Sequence, residues 1–108
     1  MMEKIIKIDG RDVRFKSTAS LPLRYKAQFG RDMFADLDKK KDEPIDSEVF
    51  YNLLWTMAKT ADDSIPPLME WVDTFESFPV FQIMNKVGDL ATRTMRPTEK
   101  NVEAAVSE

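Results

Sequence analysis

Residues 4–16 of the chain read Lys-Ile-Ile-Lys-Ile-Asp-Gly-Arg-Asp-Val-Arg-Phe-Lys, and this stretch decides how the fold begins. Asp9-Gly10 separates two alternating segments and is a strong hairpin signal, because both central residues of a type I′ turn need φ > 0. A two-residue loop pairs Ile8 with Arg11, and the twofold repeat of strands gathers four apolar side chains on one face: Ile6, Ile8, Val13 and Phe15. Since a lone hairpin is marginally stable in water, helices must cover this face.

The segment after the hairpin predicts a first helix over about residues 21–37. Ser20 is suited to cap it through its hydroxyl, and Pro22 fits the first turn, where a missing N–H matters little. Gly30 lies inside this segment and allows two interpretations, a residue that ends the helix or a point of close packing within it. We predict a continuous helix, because apolar side chains recur at every fourth position from Leu21 to Leu37.

A second helix, over about residues 46–61, is predicted to be the central one. Asp46 is suited to cap it, and Glu48 in the first turn complements the helix dipole. The polar residues of this segment form one narrow stripe, and the rest of its circumference is largely apolar. A helix with that pattern is buried.

Two further helices are predicted over about residues 65–76 and 79–94. Ser64 is suited to cap the first of them, with Pro66 and Pro67 in its first turn. We expect Trp71 at the edge of this helix, beside a buried stripe made of Ile65, Leu68, Met69, Val72 and Phe75.

The expected architecture is therefore α+β, an N-terminal β-hairpin over about residues 4–16 followed by a bundle of about four α-helices. A chain of 108 residues is the size of one domain, which we assign to residues 1–96. Residues 38–44 are charged and end in proline, which is typical of a loop. Residues 97–108 are polar and acidic, which predicts a disordered, flexible C-terminal tail.

The chemical inventory argues against an enzyme. Histidine and cysteine are absent, which excludes Ser-His-Asp and Cys-His nucleophiles and the usual zinc sites. The chain contains no phosphate-binding glycine loop. Asp36, Asp38, Asp42 and Asp46 lack the spacing of a calcium loop, and three lysines lie among them. We therefore expect no catalytic residues, no metal and no cofactor.

Charge limits the classes of partner. The sequence pI of about 5.0 argues against nucleic acid, and no apolar run reaches the ~20 residues of a membrane span. Without a targeting segment, the cytoplasm is the default location. Residues 1–31 hold eight basic and three acidic side chains, whereas residues 32–108 hold eight basic and sixteen acidic ones. This asymmetry either favours head-to-tail self-association or reflects a solvated surface whose charges happen to cluster.

Protein binding fits the remaining pattern better. Seven methionines are many for this length, and flexible thioethers suit adaptable apolar surfaces, although for any single methionine we favour a place in the core, where it fills a gap. Trp55 and Trp71 are expected in the core on the same argument. The candidate partner contacts are apolar residues at the margins of the helical stripes, namely Met33, Phe34, Trp71 and Met84.

A set of short motifs carries a resemblance to a known family. The Asp-Gly hairpin that ends in Phe15-Lys16 is followed by Leu23-Arg24-Tyr25 and Phe29-Gly30-Arg31-Asp32. Further along stand Asn52-Leu53-Leu54-Trp55 with Ala58, Asp62-Asp63, and Glu70-Trp71-Val72 with Phe75. The order resembles that of the tail assembly chaperones of long-tailed, siphovirus-type phages and prophages. The resemblance covers about residues 4–92, and its most specific residues are Arg24, Tyr25, Phe29 and Gly30.

The resemblance implies a non-enzymatic function in virion morphogenesis. Such a chaperone acts in the host cytoplasm, binds and solubilises the tape-measure protein, promotes tail-tube assembly with the tail-tube protein, and is absent from the mature virion. Self-association is expected, since coating a long client favours adjacent copies. Two alternatives remain open, a virion structural or connector protein and a small regulatory DNA-binding protein.

Overall fold

In the part of the chain that the structure describes, the fold begins with an antiparallel hairpin and continues through five helices. A computed structural model describes residues 2–38 and 44–95, so most of the predicted loop and the whole predicted tail lie outside the described residues. The elements are β1 Met2–Ile8, β2 Arg11–Ser17, α1 Leu21–Phe29, α2 Met33–Leu37, α3 Ser47–Ala61, α4 Leu68–Asp73 and α5 Val80–Met95. This confirms the predicted α+β class, with five helices in place of about four.

The hairpin forms as its turn sequence predicts. Asp9 and Gly10 have φ values of 54° and 78°, so both central residues adopt the positive φ of a type I′ turn. Ile8 pairs with Arg11, and Ile6 pairs with Val13. Ile8, Val13 and Phe15 are buried and Ile6 is half-buried, which confirms the predicted apolar face.

Helices α3 and α5 cover that face of the hairpin, α3 against β2 and α5 against both strands. Polar bonds hold the rim: Lys4 Nζ donates to the Lys86 carbonyl and lies 2.9 Å from Asp89 Oδ1. Farther along α5, the hydroxyls of Ser17 and Thr94 are 2.7 Å apart. The strands are therefore tied to the last described helix, at the other end of the sequence.

Helix α3 is the central element, as predicted. Asp46 caps it by accepting a hydrogen bond from the Glu48 N–H, and every side chain from residue 52 to residue 58 is buried. The polar stripe is buried too where α1 crosses it. There the Asn52 amide donates to the Tyr25 hydroxyl at 3.4 Å, and the Thr56 hydroxyl donates to the Asn52 carbonyl at 2.7 Å.

The predicted continuous helix over residues 21–37 is wrong. Gly30 ends α1 with φ 67° and ψ 20°, and its N–H donates to the Lys26 carbonyl. The chain then restarts as α2 behind Asp32, whose side chain accepts from the Phe34 N–H. A left-handed glycine and a new capping residue two positions later outweigh the fourfold apolar repeat, because they satisfy the backbone groups at both helix ends.

Two predicted caps are also wrong. The Ser20 hydroxyl accepts from Arg24 Nε instead of a backbone N–H. The Ser64 N–H and hydroxyl both donate to Asp62 Oδ1, so Ser64 belongs to a turn and α4 starts only at Leu68. Consecutive prolines explain the shorter helix, since the second one disfavours helical geometry at the first.

Candidate partner-binding surface

The four predicted contact residues have different environments. Met33 is 1% exposed and Trp71 is 4% exposed, so neither is an accessible contact and their choice as candidates is wrong. The expectation that Trp55 and Trp71 lie in the core is confirmed, since Trp55 is 6% exposed. Phe34 is 54% exposed, and Met84 is half-buried against the core. Phe34 and, in part, Met84 are therefore the accessible members of the predicted set.

The error at Trp71 comes from the orientation of α4. The buried side chains are Trp71 and Phe75, whereas Met69 is 81% exposed, so its predicted place in the buried stripe is wrong. The alternative series Leu68, Trp71, Val72 and Phe75 has the i, i+3, i+4, i+7 spacing of a core-facing stripe and leaves Met69 out. That signal was present in the sequence, and it identifies Met69 as a surface residue.

The family-pattern residues build the corner between α1 and α2. Tyr25 is fully buried and half-buried Phe29 packs beside it, with their ring centroids 5.1 Å apart, and Phe29 meets Trp55 edge to face. Gly30 provides the left-handed residue at the corner. Arg24 is exposed on α1. Tyr25, Phe29 and Gly30 therefore have structural roles in this conformation.

A buried carboxylate locks this corner. The Tyr25 hydroxyl donates to Asp36 Oδ2 at 2.7 Å, and Arg31 donates through Nε and Nη2 to the two carboxylate oxygens of Asp36 at 2.9 and 2.7 Å. Such two-pronged contacts with a carboxylate are strong and directional. The sequence does not predict this contact of Asp36, because the helix break at Gly30 is what brings it to Arg31.

The same network shifts two ionisation equilibria. Burial, together with the neighbouring Asp36, raises the pKa of Tyr25 to about 12, despite the opposing hydrogen bond from Asn52. Hydrogen bonding to Asp36, followed by its negative charge, raises the pKa of Arg31, and Glu48 adds a smaller contribution. Tyr25 therefore stays a neutral hydrogen-bond donor, and Arg31 stays charged, at any physiological pH.

Within the described residues, large apolar side chains are exposed on five elements. They are Ile5 on β1, Leu23 on α1, Phe34 on α2, and Met69 and Phe81 on α4 and α5. Leu23 and Phe34 lie together: with Pro22, Lys26 and Asp32 they line a shallow depression of about 290 Å³. This α1–α2 patch is one candidate contact surface.

A second candidate is the groove between α3 and α4, of about 420 Å³. Tyr51, Leu68 and Val72 form its half-buried apolar lining, and Met69 stands at its exposed edge. The Tyr51 ring stacks on Phe78 with centroids 5.7 Å apart, which fixes that side of the groove. Ser47, Glu48 and Asp73 complete the α3–α4 groove.

The described residues offer little else for ligand chemistry. Within residues 2–38 and 44–95, no group of three acidic side chains is placed to hold a metal ion. No helix in that same part of the chain is long and apolar enough to cross a bilayer. Two other depressions have more polar linings: one has Arg11, Asp12, Arg14 and Asp62 beside Ile5, and one has Arg24 and Lys59 beside Trp55. The α1–α2 patch and the α3–α4 groove are the more apolar surfaces, and they support the functional argument.

Comparison with known proteins gave no match to a family model, to a curated protein or to a solved structure.

Proposed function

We propose that this protein is a tail assembly chaperone of a long-tailed phage or prophage. It binds apolar helical segments of the tape-measure protein in the host cytoplasm, keeps that client soluble until tail-tube subunits polymerise around it, and does not remain in the mature virion. The motif order described above suggests the class, and no enzymatic step is part of the proposal.

The observation that carries the proposal is the exposure of large apolar side chains on a chain with a net charge of −3. Five such residues are exposed in the described part of the chain, and three of them border concave surfaces, Leu23 and Phe34 in the α1–α2 patch and Met69 in the α3–α4 groove. A concave apolar surface between two helices suits an amphipathic helix, which inserts its apolar stripe into it. Charges around such surfaces keep the unloaded protein dispersed.

Co-expression tests this function. The tape-measure protein of the same phage should be insoluble alone and soluble with this protein, and the two should co-purify without added nucleotide or metal. Apolar contacts dominate in this binding, so salt should weaken it much less than it weakens a complex with nucleic acid. An unrelated acidic helical protein of similar size is the control. An insoluble client, together with stoichiometric amounts of this protein in purified virions, would replace the chaperone with a structural protein.

A further inference from the structure

We infer that the α3–α4 groove is where this protein takes its client, and that the segment it selects is a helix whose apolar stripe is flanked by lysine or arginine. The inference rests on the proposed function and adds a site and a recognition chemistry to it. It follows from the shape of the groove, the exposure of the Met69 side chain and the negative charges at the two edges.

The groove has the form of a helix-binding surface. On α4, Leu68 and Val72 lie one helical turn apart, and on α3 Tyr51 lies one turn after Ser47. The apolar surface therefore runs between the two helices. The volume of the groove lies within the ~300–1,000 Å³ typical of ligand pockets. Its edge residues Glu48 and Met69 are exposed, so it is an open groove and not an enclosed cavity. A helix laid in the groove would cover Met69, which no other part of the described chain covers.

Both edges of the groove are acidic. Glu48 stands on the α3 side and Asp73 on the α4 side, and no basic residue lines the groove among the described residues. Neither carboxylate forms an ion pair within the described part of the chain. Glu48 does lie within the electrostatic reach of Arg31, but the hydrogen bonds of that guanidinium go to Asp36. The groove therefore complements a stripe with positive flanks and repels one with negative flanks.

The α1–α2 patch differs in a way that makes it the matched control. Its lining contains Lys26 and Asp32, one charge of each sign, so it provides no charge selection. Leu23 in this patch is 73% exposed, close to the 81% of Met69. Replacing either residue with serine removes a similar amount of exposed apolar surface from a different site.

The test measures binding of two labelled peptides to the full-length protein by fluorescence anisotropy. Each peptide is a helix of about five turns, or ~18 residues, with the same leucine stripe, flanked by lysine in one and by glutamate in the other. We expect the lysine peptide to bind about tenfold more tightly, since each exposed ion pair contributes a factor of a few. The double variant Glu48→Gln/Asp73→Asn should abolish this preference, and Met69→Ser should weaken both peptides.

Control variants test whether binding depends on the groove itself, and not on the net charge of the protein or on exposed apolar surface elsewhere. The double variant Asp63→Asn/Glu76→Gln removes the same two charges elsewhere on the surface and should keep the preference. Leu23→Ser should leave both affinities unchanged. Equal binding of the two peptides by the wild type, loss of preference in the distant double variant, or equal effects of Leu23→Ser and Met69→Ser would overturn the inference. So would sedimentation data in which Met69→Ser abolishes self-association while neither peptide binds, since a second copy then fills the groove.

The same variants in the co-expression assay separate this inference from the proposed function. If the wild type solubilises the tape-measure protein and Met69→Ser with Glu48→Gln/Asp73→Asn does so equally well, the function stands and the groove assignment fails. If the wild type leaves the client insoluble, the function fails, and the peptide measurements still decide the chemistry of the groove.

Discussion

Gly30 determines, through its backbone alone, where α1 stops. Residues that have a Cβ rarely adopt its φ of 67°, although a Cβ added to Gly30 would meet no other atom within 4 Å. We therefore expect Gly30→Ala to lower the free energy of unfolding by about 1–2 kcal/mol, the penalty of the left-handed conformation itself. Urea denaturation followed by circular dichroism measures this loss.

Gly88 supplies the matched control because it lies inside α5. There an added Cβ would approach only the mobile end of Met84, at 3.4 Å. Gly88→Ala should raise the free energy of unfolding by up to about 0.5–1 kcal/mol, because alanine favours the helix interior. The two glycine substitutions should thus have opposite signs, and a shared sign would contradict our account of Gly30.

Tyr25 gives the protein a sensitivity to strong base. Its pKa is about 12 in the folded chain, above the ordinary value of 10.0, because burial disfavours the phenolate. A raised pKa means that the stabilising contribution is complete below about pH 10 and disappears as the pH rises to about 12. We expect unfolding free energies measured across this range to fall for the wild type and for Tyr51→Phe, and to fall less for Tyr25→Phe. Equal slopes in all three proteins would contradict the assignment.

At the scale of elements, α3 carries the core. Leu54 in its middle has no exposed surface, so Leu54→Ala should reduce the free energy of unfolding by about 2–5 kcal/mol through lost burial and the cavity left behind. Leu23→Ala on the exposed side of α1 should change it by less than about 0.5 kcal/mol. Chemical denaturation of both variants provides the comparison, and a small effect at Leu54 would show that α3 is not central.

The elements also show which features the sequence predicts reliably. The turn at Asp9-Gly10 and the buried α3 follow from local signals, a dipeptide that adopts positive φ and an apolar circumference. The end of α1 at Gly30 is harder to predict, because the apolar repeat continues beyond the break, and the contact of Asp36 with Tyr25 and Arg31, which also stabilises the turn, forms only in the folded chain.

The candidate sites were harder to predict than the fold. Met69 and Trp71 exchange roles because a rotation of about 100° per residue separates neighbouring positions on a helix, and packing against Phe78 selects the rotation. The α3–α4 groove combines side chains from two helices, so its shape depends on tertiary packing. Phe34 is the predicted contact that remains largely exposed.

For the whole molecule, ion pairs within the folded chain neutralise part of the charge asymmetry of the sequence. Lys4 pairs with Asp89 and Arg31 pairs with Asp36, and each pair joins the basic segment to the acidic one. Hydrogen bonds from Arg93 and Lys4 lower the pKa of Asp89 to about 2, so the first pair persists in mild acid. Fewer charges than the sequence suggests are left to attract a second copy.

We therefore expect self-association to depend mainly on the exposed apolar side chains. Sedimentation velocity between about 0.05 and 0.5 M salt, a range in which surface charges become well screened, should show little change in the oligomer distribution. Phe34→Ser, which lies outside the α3–α4 groove, should shift it towards monomer. An oligomer that dissociates in high salt would restore the charge asymmetry as the cause.

The corner at Gly30 also has a use outside this molecule. Its parts lie at fixed separations: a tyrosine, four residues, glycine and arginine, four residues, and an aspartate, as in Tyr25, Gly30-Arg31 and Asp36. One inserted residue between Tyr25 and Gly30 would move the carboxylate away from the tyrosine, and one between Arg31 and Asp36 would move it away from both donors. The spacing is therefore a compact search pattern, with a geometric reason for every position, for recognising chains whose overall similarity to this one has faded.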